Sequence, residues 1–188
     1  MFRRAGLKLV LLAPEFSAFK NLIHDYEDVE QIPRDKSKDY VILDLGHRLL
    51  RMHFFAKGEF DITRNMEPGC AELTRVIAEK LDVDEHIAQI DKEQNRDKIL
   101  NEPECMEIYN QMAVEIMRVL NFYNFNHPEN NLDTLYYCGG GAEIRPLIET
   151  IADMVEIKVT SITEMLADDI EDKEAVMMSP QPLGIAWE

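Results

Sequence analysis

Two short stretches of the sequence carry residue types at spacings that suit chemistry. The first is Asp44-Leu45-Gly46, which closes the apolar run beginning at Tyr40. An acid at the end of a strand can face a crevice, and a glycine behind it lets an anion approach the turn amides. The second is Tyr137-Cys138-Gly139-Gly140-Gly141-Ala142, between an apolar run at 132–138 and a helical pattern at 142–155. Three glycines there strip side chains from a helix N-terminus, whose free N–H groups and dipole attract anions or receive a flat ring. Each stretch has a plain alternative: an ordinary hairpin glycine for the first, close helix–strand packing for the second. A dinucleotide fingerprint is not completed, because the sixth position of G-x-G-x-x-G is Ile144.

The elements that must position these turns alternate between strand and helix patterns. Residues 7–13 read as a buried strand ending at Pro14, followed by helical spacing of Phe16, Phe19, Leu22 and Ile23. The charged stretch 25–39 reads as a loop or linker. Strands at 40–45, 49–56 and 59–65, joined by short turns, form an antiparallel meander. In 71–81, Leu73, Val76, Ile77 and Leu81 mark one helix face. Asp82 or Asp84 can cap a second helix through Ile90, and 91–101 reads as loop or frayed helix. Pro103 suits the first turn of a long helix reaching Phe125. A strand at 132–138, a helix at 142–155, a short strand at 157–160 and a loosely helical acidic patch at 164–174 complete the chain. The whole reads as α/β, with a mainly helical insertion after the meander.

The chain has 188 residues, 46% of them hydrophobic, enough for one compact domain or a domain with a modest subdomain. Lys and Arg number 20 against 36 Asp and Glu, giving a net charge of −16. Such a field repels phosphate backbones and anionic headgroups, so neither a nucleic-acid partner nor direct membrane insertion is expected. Cys70, Cys105 and Cys138 form no CxxC pair and the five His are scattered, which argues against a side-chain metal cluster and for a reducing cytoplasm. A Mg²⁺ held by substrate phosphates would leave little trace. Residues 7–13 are too short to span a membrane, and Pro14-Glu15 stands where an export signal would be cleaved. His47 reads as a turn residue, the ten Met as core filler, Trp187 as a packing anchor and the acids at 168–172 as a solvated loop.

The order strand–DxG–strand–strand, helical insertion, strand–GGG–helix resembles one half of the actin-like (ribonuclease H-like) ATPase fold. Segments 5–22, 41–83 and 135–151, with the closing QPLGIAW, resemble the type IV pilus assembly PilM family, relatives of the FtsA division proteins. The resemblance implies a second lobe only. Residues 1–39 would be the last strand and crossing helix of a first lobe plus a linker. Residues 40–69 and 132–188 would form the core subdomain, and 70–131 the helical insertion.

The cofactors implied are ATP and Mg²⁺. Asp44 would sit near the Mg²⁺ or its waters and Gly46 under the β- and γ-phosphates. Gly139, Gly140 and Gly141 would lie against adenosine, and Arg75 and Glu79 near the ribose. The phosphate turn of the family continues with Ser or Thr, whereas here it reads His47-Arg48-Leu49-Leu50, leaving Arg48 to compensate electrostatically. The function implied is a cytoplasmic pilus-assembly scaffold, at most a weak ATPase, bound to the tail of an inner-membrane pilus-assembly protein. A non-catalytic interaction module and an FtsA-like division protein are the alternatives. The first phosphate loop is expected upstream of Met1, and an exposed strand at 7–13 is expected to fold back or to pair with a second copy as a homodimer.

Overall fold

The structure is a computed structural model that describes residue 6, residues 12–168 and residues 170–186. Most of the strand expected at 7–13, the dimer contact built on it and Trp187 lie outside the described residues; 12–14 have no regular structure.

Five strands form one mixed sheet in the order β3-β2-β1-β4-β5: β1 (Tyr40–Leu45), β2 (Leu50–Ala56), β3 (Glu59–Met66), β4 (Thr134–Cys138) and β5 (Lys158–Ser161). β1, β2 and β3 are the expected antiparallel meander, and β4 and β5 run parallel to β1. All six residues of β1 are buried because both faces of the central strand are covered. Alternation along β1 feeds two cores. Val41, Leu43 and Leu45 face one, while Tyr40 and Ile42 face the other. The edge strand β3 is half exposed and carries Glu59, Asp61 and Arg64, charges that discourage further pairing.

The larger core is covered by α2 (Ala71–Leu81), α3 (Glu85–Glu93), α4 (Pro103–Asn126) and α5 (Arg145–Met154). α1 (Glu15–Val29) lies over the opposite face, together with α6 (Lys173–Met178) and α7 (Gln181–Ala186) near the end of the chain. The packing of α1 on α7 is close: a Cβ on Gly184 would collide with the Ala18 carbonyl, and Asn21 Nδ2 donates to Gly184 O at 2.8 Å.

Several elements differ from the sequence expectation. α1 continues to Val29, so 25–39 is not loop throughout. Its last turns are held by Glu27, which is fully buried and accepts from Ser37 Oγ (2.5 Å), Tyr40 Oη (3.0 Å) and Arg34 Nη1 (2.8 Å). Asp84 caps α3, accepting from the His86 and Ile87 amides, while Asp82 closes α2 in a left-handed conformation. α3 runs on to Glu93 and buries Asp91 and Lys92, within a stretch whose polarity reads as loop. After the glycines, a 3₁₀ turn (Gly140–Glu143) precedes α5, where one helix from 142 was expected. Pro146 has no N–H to donate, so the helix can begin only just before it.

Candidate functional site

The two glycine turns lie side by side because β1 and β4 are parallel neighbours and Asp44 is paired in register with Cys138. Loops at the carboxyl ends of adjacent parallel strands are where ligands bind in such sheets. Gly139 has φ +91°, a conformation open to glycine, and a Cβ there would meet Asp44 Oδ1 and stand 2.9 Å from the Leu45 amide. Its own N–H donates to Met177 O at 2.9 Å, tying the turn to α6. Gly140 has open space where a side chain would project. On the other turn, Gly46 and His47 carbonyls accept from the Cys70 and Ala71 amides (3.0 and 2.7 Å), so this turn braces the start of α2.

Between these turns and α3 is a cavity of about 350 Å³, bounded by Leu45, His47, Cys70, Gly140, Gly141, Gln89, Lys92 and Glu93. Its polar wall is internally connected. Lys92 Nζ donates to Thr74 Oγ1 (2.8 Å) and to Cys70 O (3.4 Å); Thr74 Oγ1 donates to Gln89 Oε1 (2.8 Å), and Gln89 Nε2 to Glu93 Oε1 (2.6 Å). Burial lowers the pKa of Lys92 and pushes the Cys70 thiol up to about 11, which keeps the thiol protonated and unreactive. Lys92 is nine-tenths buried, yet neither of these hydrogen-bond acceptors is a carboxylate.

Asp44 belongs to the other face of the sheet. Its Oδ2 accepts from Arg51 Nη2 at 2.7 Å, while Arg51 Nη1 reaches Glu15 Oε2 at 2.8 Å. Glu15 in turn accepts from Gln181 Nε2 at 2.9 Å, which links the Asp44-Leu45-Gly46 turn to the first residues of α1 and α7. Burial raises the pKa of Asp44, and the guanidinium opposes that rise.

Of the residues singled out in the sequence, Gly140 and Gly141 line the cavity, and Asp44, Gly46 and Gly139 form the turns behind it. Arg48 is exposed in a separate shallow hollow with Glu67 and Glu72. Arg75 and Glu79 pair with each other at 2.8 Å on the exposed face of α2, outside the cavity wall. Gln89, Lys92 and Glu93 were not anticipated. The capping Asp84 and the i, i+4 spacing of Gln89 and Glu93 are the sequence signals that point to a helix there.

Comparison with known proteins places this geometry. A family model described as type IV pilus assembly protein PilM matches residues 1–179. No curated protein sequence matches the chain. Among solved structures, the chain is similar to one from a PilM–PilN type IV pilus biogenesis complex, with TM-score 0.75 and 18% identity over 98% of this chain and 54% of that one. It is similar to the ethanolamine utilization protein EutJ from Carboxydothermus hydrogenoformans, with TM-score 0.68 and 21% identity over 97% of this chain and 56% of that one. It is also similar to MreB 5 of Spiroplasma citri bound to AMPPNP, with TM-score 0.60 and 12% identity over 98% and 63%. The chain thus spans little more than half the length of these proteins, and the likeness gives it the actin-like fold expected from the motif order. With a matching model over nearly all of its length, the chain belongs to the type IV pilus assembly PilM family.

Proposed function

We propose that this chain is the nucleotide-binding half of a cytoplasmic pilus-assembly scaffold of the PilM type. The observation that carries the reading is the cavity of about 350 Å³ between Gly140, the Asp44-Leu45-Gly46 turn and α3. Its size suits a small ligand, it has one wall without side chains to take a flat base, and it has one buried cation. Gly140 and Gly141 would lie against the base. Gln89 and Glu93 offer an amide and a carboxylate for ribose hydroxyls, and Lys92 supplies positive charge for a phosphate. That MreB 5 was solved with AMPPNP supports a nucleotide as the ligand class.

Nucleotide occupancy would set the closure of this lobe on a partner lobe and so the affinity for a membrane protein's tail. The PilM–PilN complex supports an inner-membrane pilus-assembly protein as that partner. Among the described residues no helix is long and apolar enough to cross a membrane, and the charge of −16 disfavours contact with anionic lipid. A protein partner is then the route to the membrane surface.

The test is titration of the chain with a fluorescent ATP analogue, repeated on Lys92→Met. Saturable binding that weakens about tenfold in the variant is expected, the size of one lost charged hydrogen bond. No saturable binding, or equal binding by a folded variant, would count against the reading.

A further inference from the structure

We infer that this chain binds its nucleotide without Mg²⁺, because Arg51 already holds the place beside Asp44 that a divalent cation would take. The inference rests on the nucleotide reading above and concerns the same site. The Asp44 side chain is only 6% exposed. Its Oδ2 is committed to Arg51 Nη2 at 2.7 Å, and Gly139 is packed so closely over Oδ1 that not even a Cβ fits between them. Mg²⁺ demands near-octahedral oxygen geometry and gives up its waters reluctantly, so it needs an open, hydrated carboxylate. Asp44 is neither.

Displacing Arg51 would undo more than one contact. Its other terminal nitrogen is held by Glu15 at 2.8 Å, and Glu15 is held by Gln181 at 2.9 Å. The guanidinium is therefore fixed from both sides, by the turn and by the α1–α7 layer. Among the described residues no three His, Cys, Asp or Glu side chains gather where they could hold an ion, so apart from Asp44 a metal would depend on the nucleotide's own phosphates and water.

The positive charge that a metal would bring is instead built in. Arg51 neutralises Asp44 on one face of β1, so the turn does not repel an approaching phosphate. Lys92 Nζ stands on the cavity side, hydrogen-bonded to a neutral hydroxyl and a backbone carbonyl. With Arg51 committed to Asp44 and Glu15, Lys92 is the cation on the cavity side that meets a metal-free nucleoside polyphosphate.

The deciding experiment is titration of the chain with the fluorescent ATP analogue in EDTA and in millimolar Mg²⁺. Affinities that agree within about threefold are expected, a difference well under 1 kcal/mol. A loss of about tenfold or more in EDTA overturns the inference and leaves nucleotide binding standing. Absence of binding in both buffers overturns both.

A second measurement needs no variant. By linkage, a protein indifferent to the metal cannot raise the metal affinity of its bound nucleotide. Mn²⁺ titration followed by paramagnetic relaxation should therefore give one affinity for the free and the protein-bound analogue. Tighter Mn²⁺ binding in the complex overturns the inference. In Arg51→Gln, where the carboxylate is released, Mg²⁺ should strengthen analogue binding severalfold; a folded variant still indifferent to Mg²⁺ would remove Arg51 from the role.

Discussion

Arg51 Nη2 donates to Asp44 Oδ2 at 2.7 Å between two residues that are direct cross-strand partners of β1 and β2. The pair ties the Asp44-Leu45-Gly46 turn to the meander. The carboxylate is almost fully enclosed, while the Arg51 side chain remains 36% exposed. Replacing Arg51 by Leu leaves a buried acid without its partner. The expected loss is about 2 kcal/mol in urea unfolding, below the range for fully enclosed pairs because solvent reaches Arg51. In a double-mutant cycle with Asp44→Asn, a coupling near zero would show that the pair adds nothing to stability.

His53 predicts an acid dependence of stability. It is 2% exposed, its Nδ1 is hydrogen-bonded to Thr63 Oγ1 at 2.9 Å, and its ring lies against Phe19. Burial lowers its pKa from 6.5 to about 4, with Glu15 opposing the shift and Arg51 reinforcing it. Because the folded pKa is depressed, the unfolded chain takes up the proton first. The contribution is complete above pH 6.5 and is lost as pH falls toward 4, by at most about 3 kcal/mol. Urea unfolding across that window should fall more steeply for the wild type than for His53→Leu; parallel curves would remove His53 as the cause.

Adjacent glycines should answer differently to the same change. Gly139→Ala places a Cβ at φ +91° against Asp44 and the Leu45 backbone, and should destabilise by about 1–3 kcal/mol. Gly140→Ala meets no atom within 4 Å and should leave the melting temperature nearly unchanged while weakening binding of the ATP analogue. Thermal melts and titrations of both variants check this, and a destabilised Gly140→Ala would contradict the open wall.

Tyr40→Phe should destabilise by about 1.5–3 kcal/mol, the range for a hydrogen bond to a charged group. The phenol donates to Glu27 Oε1 at 3.0 Å in a fully enclosed setting, and burial with the nearby carboxylate pushes its pKa far up, so it stays protonated. Urea midpoints of Tyr40→Phe and wild type measure the difference, and equal midpoints would mean that Ser37 and Arg34 satisfy Glu27 unaided.

The sheet was legible because its signals are local. A continuous apolar run makes β1, two short turns make the meander, and a glycine triplet ends β4. The site was only partly legible, for a physical reason. Burial of a charged side chain depends on partners far away in sequence, and periodicity carries no trace of them. Glu27 reads as part of a charged linker until Ser37 and Tyr40 close over it. Lys92 sits in a polar stretch and becomes a cavity wall only when Thr74 and Cys70 come up beside it. Arg51 lies in the second strand of the meander, and its role depends on the register that sets it opposite Asp44. Arg75 and Glu79 show the converse: they sit on a well-read helix but on its exposed face, while the polar wall of the cavity comes from Gln89, Lys92 and Glu93 of α3.

The contact between α1 and α7 also sets a clock. Asn21 meets Gly184 across 163 positions of chain, and Glu15 meets Gln181 across 166. At about 5–20 residues per second, synthesis of that interval takes roughly 10–30 s. Once the meander has followed, α1 must hold Phe19, Leu22 and Ile23 against it without the later helix that packs against Ala18. The backbone-close seam at Ala18 and Gly184 therefore forms late in synthesis, and the nascent chain spends those seconds with the apolar face of α1 only half sheltered.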